Sequence, residues 1–290
     1  MALKDQIRFR VQQMNSAEKL ILLNIICFIF PLFLKTLFFL FAIPYGTFIS
    51  FFELSSDWRT LFFRPWSIVT YSFIHSGFFH LFWNMYLLYF SSRLFLNLFS
   101  VKIFLNVYFL AVVVGAFTFL FSYALFPAFQ NAAPSMIGAS AGVMGIFVFI
   151  STYSPDQEIR IIFFNLKLRY LAIGFVLMDI IQIPYGNAGG HLAHLGGAGL
   201  GFLYAQRLQN GIDIGLPFER FIAKTTDLFK KKPTLRTVHK KNISRKTKST
   251  MTSDTLHQKQ IDSILDKIST SGYESLSQKE KDYLFQAGKN

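Results

Sequence analysis

Residues 137–154 read IGASAGVMGIFVFISTYS, and residues 190–208 read GHLAHLGGAGLGFLYAQRL. Each stretch is apolar over most of its length but carries a chemically active side chain near its start, Ser140 in the first and His194 in the second. Polar groups are costly inside hydrocarbon and mark function when they occur there. The two stretches therefore predict membrane helices that bring a hydroxyl and an imidazole to the same end of a bundle.

The composition is typical of a polytopic membrane protein. Of the 290 residues, 52% are hydrophobic and only 16% are charged, and the mean hydropathy is +0.38. The single cysteine, Cys27, excludes an internal disulfide framework and a cysteine-rich metal site. We predict an all-α membrane protein, a six-transmembrane-helix bundle with spans at residues 19–42, 77–96, 101–126, 137–154, 168–185 and 190–208.

The segments outside the six-helix domain, residues 19–208, differ in composition. The N-terminal segment, 1–18, is polar and basic, and the apolar run after it is too long for a cleaved signal peptide, so we expect an uncleaved anchor. The aromatic first loop, 43–66, is predicted to lie in the membrane interface. A basic flexible linker, 209–254, and a C-terminal helical hairpin of unknown role, 255–290, complete the predicted organisation.

The tail is strongly basic: eleven Lys or Arg lie between Arg220 and Lys248, within a chain of net charge +13. A solvated cytoplasmic tail and a contact with anionic lipid are the two interpretations. No nucleic-acid partner is expected, because no nucleic-acid motif accompanies the run. In the hairpin, Ser277 and Glu280 predict a capping box, after a first helix with apolar residues at Ile261, Ile264, Leu265 and Ile268.

Lysine and arginine are distributed unevenly between the two sides of the predicted spans. They occur in the N-terminal segment, around the second and fourth connections and in the tail, while on the other side only the first loop carries arginine. Because positively charged loops stay cytoplasmic, both termini are predicted to be cytoplasmic. The second, fourth and sixth spans then start on the outer face. His80, Ser140 and His194 would therefore share one depth, on the order of 5–8 Å below the outer surface of the membrane.

Ser140 has two interpretations. A serine early in a membrane helix is commonly a packing residue. Here Gly138, Gly142 and Gly145 remove side chains from its surroundings, which lets another helix or a substrate backbone come close. A helix N-terminus also offers free N–H groups and the positive end of the helix dipole. Such N–H groups stabilise a developing oxyanion, so the pattern favours a nucleophile.

His194 is followed by Gly197 and Gly201, a face of small residues that lets the sixth span pack closely on a neighbour. If that neighbour is the fourth span, the imidazole can serve Ser140 as general base; a plain interhelical hydrogen bond is the alternative. Asp179, in the outer half of the fifth span, is poorly placed to orient the ring. The residues therefore predict a Ser–His dyad rather than a triad.

His80 and Asn84 are four residues apart and so share one face of the second span. A polar interhelical contact is one interpretation, and a pair of donors to an oxyanion is the other. One histidine and one asparagine are a poor metal face, and the chain has no HExxH motif, so we expect neither a metal nor a cofactor. His75 and His191 are interpreted as local hydrogen-bonding or wall residues.

These motifs, in this order, resemble those of the rhomboid family of intramembrane serine proteases over about residues 17–208. The resemblance implies that Ser140 is the nucleophile and His194 the general base, and that His80 and Asn84 stabilise the oxyanion with the N–H of Ser140. Gly197 and Gly201 match the glycines of the family's sixth helix. The motifs are His80-Leu81-Phe82-Trp83-Asn84, Gly138-Ala139-Ser140 and Ala193-His194-Leu195-Gly196-Gly197.

Three positions depart from the family pattern. Ala141 replaces the glycine after the serine, Met144 replaces a residue that is often aromatic and packs on the histidine ring, and Ser67 follows Trp66 where the family's first-loop motif has arginine. A methionine thioether can still contact an imidazole. The departure at Ser67 concerns the anchoring of the first loop rather than the chemistry.

The resemblance implies a membrane-embedded serine endopeptidase that cleaves single-span transmembrane substrates near the outer leaflet. Its surroundings are the lipid bilayer, and we expect a bacterial inner membrane. A catalytically silent rhomboid-like scaffold or chaperone that binds membrane clients is the alternative, although such proteins tend to lack the serine or the histidine. A small-solute transporter would show inverted repeats and broken helices, which the sequence does not indicate.

Overall fold

The computed structural model describes residues 3–130, 132–161, 164–229 and 253–288. The chain divides into two compact units, Met1–Lys230 and Lys231–Asn290. The first unit is an all-α integral membrane protein, as predicted, to which two short antiparallel ribbons are added. The hydropathy pattern did not indicate these ribbons.

Two helices open the chain, α1 (Leu3–Gln13) and α2 (Ser16–Leu40). A capping box begins α2: the Asn15 side chain accepts the Glu18 N–H at 2.9 Å, and the Glu18 carboxylate accepts the Asn15 N–H at 2.8 Å. Helix α2 continues through Pro31. Membrane helices tolerate proline where neighbouring groups bond the freed carbonyl.

The first loop is folded rather than irregular. The Arg64 Nη1 atom donates to the Ser50 carbonyl at 3.1 Å, and its guanidinium lies 4.1 Å from the centre of the Phe51 ring. Trp66 Nε1 donates to the Phe51 carbonyl at 2.7 Å. Arg64 and Trp66 thus anchor the loop without an arginine at position 67. Its elements are α3 (Tyr45–Ile49), β1 (Leu54–Ser55), α4 (Trp58–Phe63), α5 (Ser67–Thr70) and a 3-10 turn (Tyr71–Phe73).

Five further helices follow: α6 (Phe78–Leu98), α7 (Val101–Leu125), α8 (Ser140–Tyr153), α9 (Leu168–Gln182) and α10 (Ala188–Gln209). Short 3-10 turns, Pro127–Phe129 and Ile183–Tyr185, follow α7 and α9. Within the described ranges, three helices are long and apolar enough to cross a membrane: α2, α7, and α9 with its 3-10 turn. The polar and small residues of α6 and α10 and the shortness of α8 leave the six-span count a prediction.

Helix α8 is the centre of the first unit. All its residues from Ala141 to Ser151 are buried, and it packs against α6, α7, α9 and α10. Large apolar side chains elsewhere point outwards, including Phe30 and Phe33 of α2. An apolar surface of this extent suits lipid rather than water. The helix that carries Ser140 is therefore shielded along its middle, and Ser140 at its start is partly exposed.

Glycines bring α10 against α8 at backbone distance. A methyl group on Gly197 would lie 2.1 Å from the Ala141 carbonyl oxygen, and one on Gly201 would lie 2.2 Å from that of Gly145. Both distances are far below van der Waals contact, so only glycine fits at positions 197 and 201. The small face predicted on the sixth span packs on the fourth.

The ribbons connect the loops of this unit. Strand β1 pairs with β2 (Ser135–Met136), which ties the first loop to the segment that leads into α8. Strands β3 (Glu158–Ile161) and β4 (Phe164–Lys167) form a hairpin between α8 and α9. Next to this hairpin, a hydrogen bond from Lys167 and the nearby Arg169 guanidinium lower the pKa of Asp156.

Part of the predicted linker is helical. Helix α11 (Leu216–Phe229) lies within residues 209–254, and its Glu219 pairs with Lys102 of α7 at 2.7 Å. The prediction of a flexible linker is wrong over this stretch, because apolar residues recur there at helical spacing within the basic run. Residues 230–252 of the linker lie outside the described residues.

The second unit contains α12 (Ser253–Ser271), a 3-10 turn (Tyr273–Ser275) and α13 (Gln278–Ala287). The predicted capping box is confirmed, since the side chains and N–H groups of Ser277 and Glu280 bond reciprocally. Lys267 donates to the Glu280 carboxylate at 2.9 Å. The Ser277 N–H and Lys267 together lower the pKa of Glu280 to about 2.

Two alanine substitutions in α10 test the glycine contact. Gly197→Ala is expected to lower the stability by about 1–3 kcal/mol, because the added methyl overlaps the Ala141 carbonyl. Gly199→Ala is the matched control: nothing lies within 4 Å of a methyl at that position, so the helix keeps or gains stability, by up to about 1 kcal/mol. The measurement is the Tm in detergent micelles, and equal Tm values for the two variants would contradict the contact.

Candidate active site

Ser140 is the first residue of α8. Ala139 precedes it as the N-cap residue and provides no side-chain cap, and the N–H of Val143 donates to the Ala139 carbonyl at 3.0 Å. The N–H groups of Ser140, Ala141 and Gly142 come before this first helical bond, so the helix offers them no partner. The serine hydroxyl therefore lies beside amide donors, at the positive end of the helix dipole.

His194 lies on α10, one turn before the Gly197 that touches Ala141. Ser140 and His194 line one cavity of about 760 Å³, together with Asn84, Met144 and Asp179. In the described part of the chain, no hydrogen bond joins the serine hydroxyl to the imidazole. Such bonds are often long before a substrate binds. The predicted pair thus shares one cavity without being bonded.

Asp179 of α9 reaches the imidazole, contrary to the prediction. One of its carboxylate oxygens lies 2.8 Å from Nδ1 of His194 and 2.7 Å from Nδ1 of His191. The position of Asp179 along its own helix does not report how close it lies to a residue of the next helix. Because a short turn joins α9 to α10 and the helices pack side by side, the C-terminal half of α9 faces the start of α10. The site therefore contains a Ser–His–Asp set.

The carboxylate also decides the state of the imidazole. An ionised carboxylate only accepts hydrogen bonds, so Nδ1 of His194 must carry the ring proton when it bonds Asp179. A neutral imidazole has a single ring proton, which leaves Nε2 as an acceptor. This is the tautomer that can take a proton from a hydroxyl.

His80 has the opposite tautomer. The N–H of Ser76 donates to His80 Nδ1 at 3.4 Å, and the Ser76 hydroxyl lies 3.1 Å from the same atom. Because a backbone N–H can only donate, Nδ1 accepts and Nε2 carries the proton. A methyl group on Gly138 would lie 2.7 Å from His80 Nε2 and 3.6 Å from Ser140 Oγ. The imidazole N–H and the serine hydroxyl therefore border the same space.

Asn84 is buried and bonds within its own helix, where its Nδ2 donates to the His80 carbonyl at 2.8 Å. This bond lies within α6 and is not the interhelical contact of the first interpretation. The amide keeps a second N–H, and Asn84 lines the cavity that Ser140 and His194 share. This geometry leaves Asn84 a candidate donor to the oxyanion and, among the described residues, shows no hydrogen bond from its side chain to another helix.

The small residues near the serine have different surroundings. Gly138 has a φ of +117°, a conformation that other residues rarely adopt, and its N–H donates to the Tyr71 carbonyl at 2.9 Å. Gly142 and Gly145 let another helix come close, as expected, because methyl groups there would strike Tyr108 and Ala111 of α7. These two glycines admit α7.

Sequence reasoning gave no role in the site to two residues of this region, Tyr71 and Asp179. Tyr71 is buried, and its hydroxyl donates to the Val112 carbonyl of α7 at 2.8 Å. This bond holds Tyr71 in place, and the backbone carbonyl of Tyr71 in turn accepts the Gly138 N–H. Asp179 did leave a signal, since a lone carboxylate in an apolar span is rarely without a function.

Asp179 also belongs to a cluster of three possible metal ligands. The cluster consists of one Asp179 oxygen and the Nδ1 atoms of His191 and His194, which all lie within 4.8 Å of one another.

The fold and the site define a class: an all-α integral membrane protein with a serine, a histidine and an aspartate at one cavity. The family model of the rhomboid domain matches residues 63–210, and the chain belongs to the rhomboid family. A second model, for a family of unknown function (DUF6576), matches residues 253–289, the helical hairpin. No curated protein matches the chain.

His75 gives a test of the packing beside His80. Burial and the neighbouring His80 lower the pKa of His75 from 6.5 to about 4, so the buried ring is neutral at pH 7. The unfolded chain binds this proton near pH 6.5. The free energy of unfolding is therefore expected to fall as the pH drops from 6.5 towards 4. The total loss over this range is about 3 kcal/mol.

His75→Gln removes the titrating group and is expected to flatten the dependence of the Tm on pH between about pH 7 and 4. His257→Gln, in the second unit, serves as the control and keeps the wild-type dependence. If wild type and His75→Gln lose stability in parallel on acidification, the buried state of His75 is wrong.

Proposed function

We propose that this protein is an intramembrane serine endopeptidase that cleaves single-span membrane proteins. One observation carries the proposal: Ser140 and His194 line one cavity, and Asp179 bonds the far nitrogen of that histidine at 2.8 Å. The tautomer that follows leaves Nε2 of His194 free to act as a base. Membership of the rhomboid family supports the same activity.

In the proposed reaction the Ser140 hydroxyl attacks the substrate carbonyl while His194 Nε2 takes its proton. The carbonyl oxygen becomes an oxyanion, which the N–H of Ser140, His80 Nε2–H and the second N–H of Asn84 stabilise. The imidazolium then gives its proton to the leaving amine as the peptide bond breaks. Water, activated by the same imidazole, hydrolyses the acyl-enzyme and restores the serine.

Asp179 is proposed as a positioning residue in this reaction, so a triad replaces the predicted dyad. Its carboxylate holds the productive tautomer and stabilises the imidazolium that forms when the serine is deprotonated. His191 bonds the same oxygen but has no assigned role in catalysis.

The substrate is proposed to reach the cavity sideways, between α6 and α9. Tyr86 of α6 and Phe175 of α9 both line the cavity and are exposed on the outside of the bundle. A substrate helix hides its peptide bonds, so it must unwind before Ser140 can attack. Small or helix-breaking residues near the cleaved bond are expected to help.

The topology belongs to the proposal too. Six spans with both termini in the cytoplasm put Ser140 near the outer leaflet, and a bacterial inner membrane is the proposed location. The basic tail then lies on the cytoplasmic side, where anionic lipid attracts lysine and arginine.

The central test uses the full chain with a tagged single-span substrate. Ser140→Ala and His194→Ala are each expected to abolish cleavage, because each removes one reacting group. Ser151→Ala is the matched control: Ser151 is a buried serine on the same helix that bonds the Phe147 carbonyl at 2.8 Å, away from the cavity. Cleavage that persists in both Ser140→Ala and His194→Ala would sink the assignment.

A fluorophosphonate probe provides the second measurement for the same variants. It is expected to label wild type and Ser151→Ala but neither Ser140→Ala nor His194→Ala. If the wild-type chain binds the substrate without cleaving it or reacting with the probe, the scaffold interpretation replaces the protease.

Asp179→Asn tests the positioning role. The amide can donate to Nδ1 and so favour the wrong tautomer, and kcat is expected to fall by about 10²- to 10⁴-fold with little change in KM. Asp156→Asn, which removes an exposed carboxylate near the β3–β4 hairpin, is the control and should keep wild-type kcat. A large rise in KM or a lowered Tm for Asp179→Asn would instead indicate a structural role.

A further inference from the structure

Three donor atoms from α9 and α10 converge beside the proposed catalytic base. Asp179 Oδ1, His191 Nδ1 and His194 Nδ1 lie within 4.8 Å of one another. The side chains are 9%, 13% and 21% exposed, so the cluster is sheltered but reachable from the cavity. The two histidines are three residues apart on α10 and face the same side of the helix, towards Asp179. The carboxylate therefore bonds two imidazoles, although catalysis needs only one.

We propose that this cluster binds a divalent transition-metal ion of the Zn²⁺ type, and that the bound ion switches the protease off. This inference rests on the proposed function, because it concerns the same histidine. Two imidazole nitrogens and one carboxylate oxygen form a donor set that Zn²⁺ accepts, with a fourth position left for water. Ca²⁺ and Mg²⁺ prefer oxygen ligands and suit the cluster poorly.

Metal binding requires a modest rearrangement of the cluster. The two Nδ1 atoms lie 2.7 and 2.8 Å from the Asp179 oxygen, and all three donor atoms lie within 4.8 Å of one another. Ligand atoms around a tetrahedral zinc with bonds of about 2.0–2.1 Å lie about 3.3 Å apart. The carboxylate oxygen must therefore move about half an ångström from each nitrogen, and the two nitrogens must come to the same spacing of about 3.3 Å, which side-chain rotation on two neighbouring helices can supply.

The proton balance explains the inhibition. Without the ion, each imidazole carries its one ring proton on Nδ1 and donates it to the carboxylate. When the ion binds, both Nδ1 lone pairs go to the metal and each ring proton moves to Nε2, so the rings stay neutral and no proton is lost. Nε2 of His194 is then a donor and can no longer accept the proton of Ser140.

Metal binding is measured first, without reference to activity. Co²⁺, a spectroscopic substitute for Zn²⁺, is titrated into the full-chain Ser140→Ala variant in micelles, and visible ligand-field bands of a tetrahedral site are expected. Adding Asp179→Asn or His191→Gln should weaken the binding by roughly tenfold or more. His75→Gln removes a histidine outside the cluster and should leave it unchanged. Absence of the bands, or their loss in His75→Gln but not in His191→Gln, would overturn the site.

Inhibition is measured next, on chains that retain Ser140. Cleavage of the tagged substrate by wild type is expected to fall with added Zn²⁺ and to recover with a chelator. His191→Gln, compared with its own rate without metal, should need roughly tenfold more Zn²⁺ for the same inhibition, since the glutamine amide still donates to Asp179 but removes one ligand. Equal sensitivity of the two proteins would overturn the regulatory role.

The two proposals fail separately. If the Ser140→Ala variant binds Co²⁺ through the cluster but the wild-type chain never cleaves a substrate, the proposed function and the inhibition that depends on it are wrong, and the metal site stands. If the wild-type chain cleaves its substrate at every Zn²⁺ concentration and the Co²⁺ bands are absent, the metal inference is wrong and the protease stands.

Discussion

The contact of two helix backbones, α8 and α10, is the constraint on which the rest of this structure depends. The carbonyls of Ala141 and Gly145 occupy the space that side chains on Gly197 and Gly201 would need. In lipid, helices gain little from hydrophobic burial against one another, so close van der Waals contact must hold them together. Ser140 is the neighbour of Ala141, and His194 lies one turn before Gly197. The same contact that joins the helices therefore brings the hydroxyl and the imidazole to one cavity.

Asp179 adds a third helix to this pair. A carboxylate within a membrane bundle is costly unless its oxygens are bonded, and here two imidazole nitrogens bond one of them. The arrangement also links structure to chemistry, since the carboxylate determines which nitrogen of His194 carries the proton. His80 has its tautomer set in the opposite sense by the Ser76 N–H. The hydrogen-bond partners thus leave Nε2 of His194 as an acceptor and Nε2 of His80 as a donor.

The fold and the candidate site were predictable in part, each for a local reason. Ser140 and His194 stand out because each is a polar group near the start of an apolar stretch, and Ser277 and Glu280 form the predicted capping box. The placement of Asp179 against His194 and the helical state of α11, which lies within the predicted linker, were not predictable in this way. Each of these concerns a partner distant in sequence or a helix hidden within a basic run, and hydropathy along one segment does not report such relations.

The sequence by itself determined that the chain is an all-α membrane protein and which polar side chains stand out in its apolar segments, because apolar length and isolated polar groups are properties of single segments. Only the tertiary structure decided that Asp179 lies against His194 and His191, that Gly138 faces His80, and that Gly142 packs on Tyr108. These relations depend on how neighbouring helices turn their faces towards one another. Side-chain packing sets that rotation, and no single span encodes it.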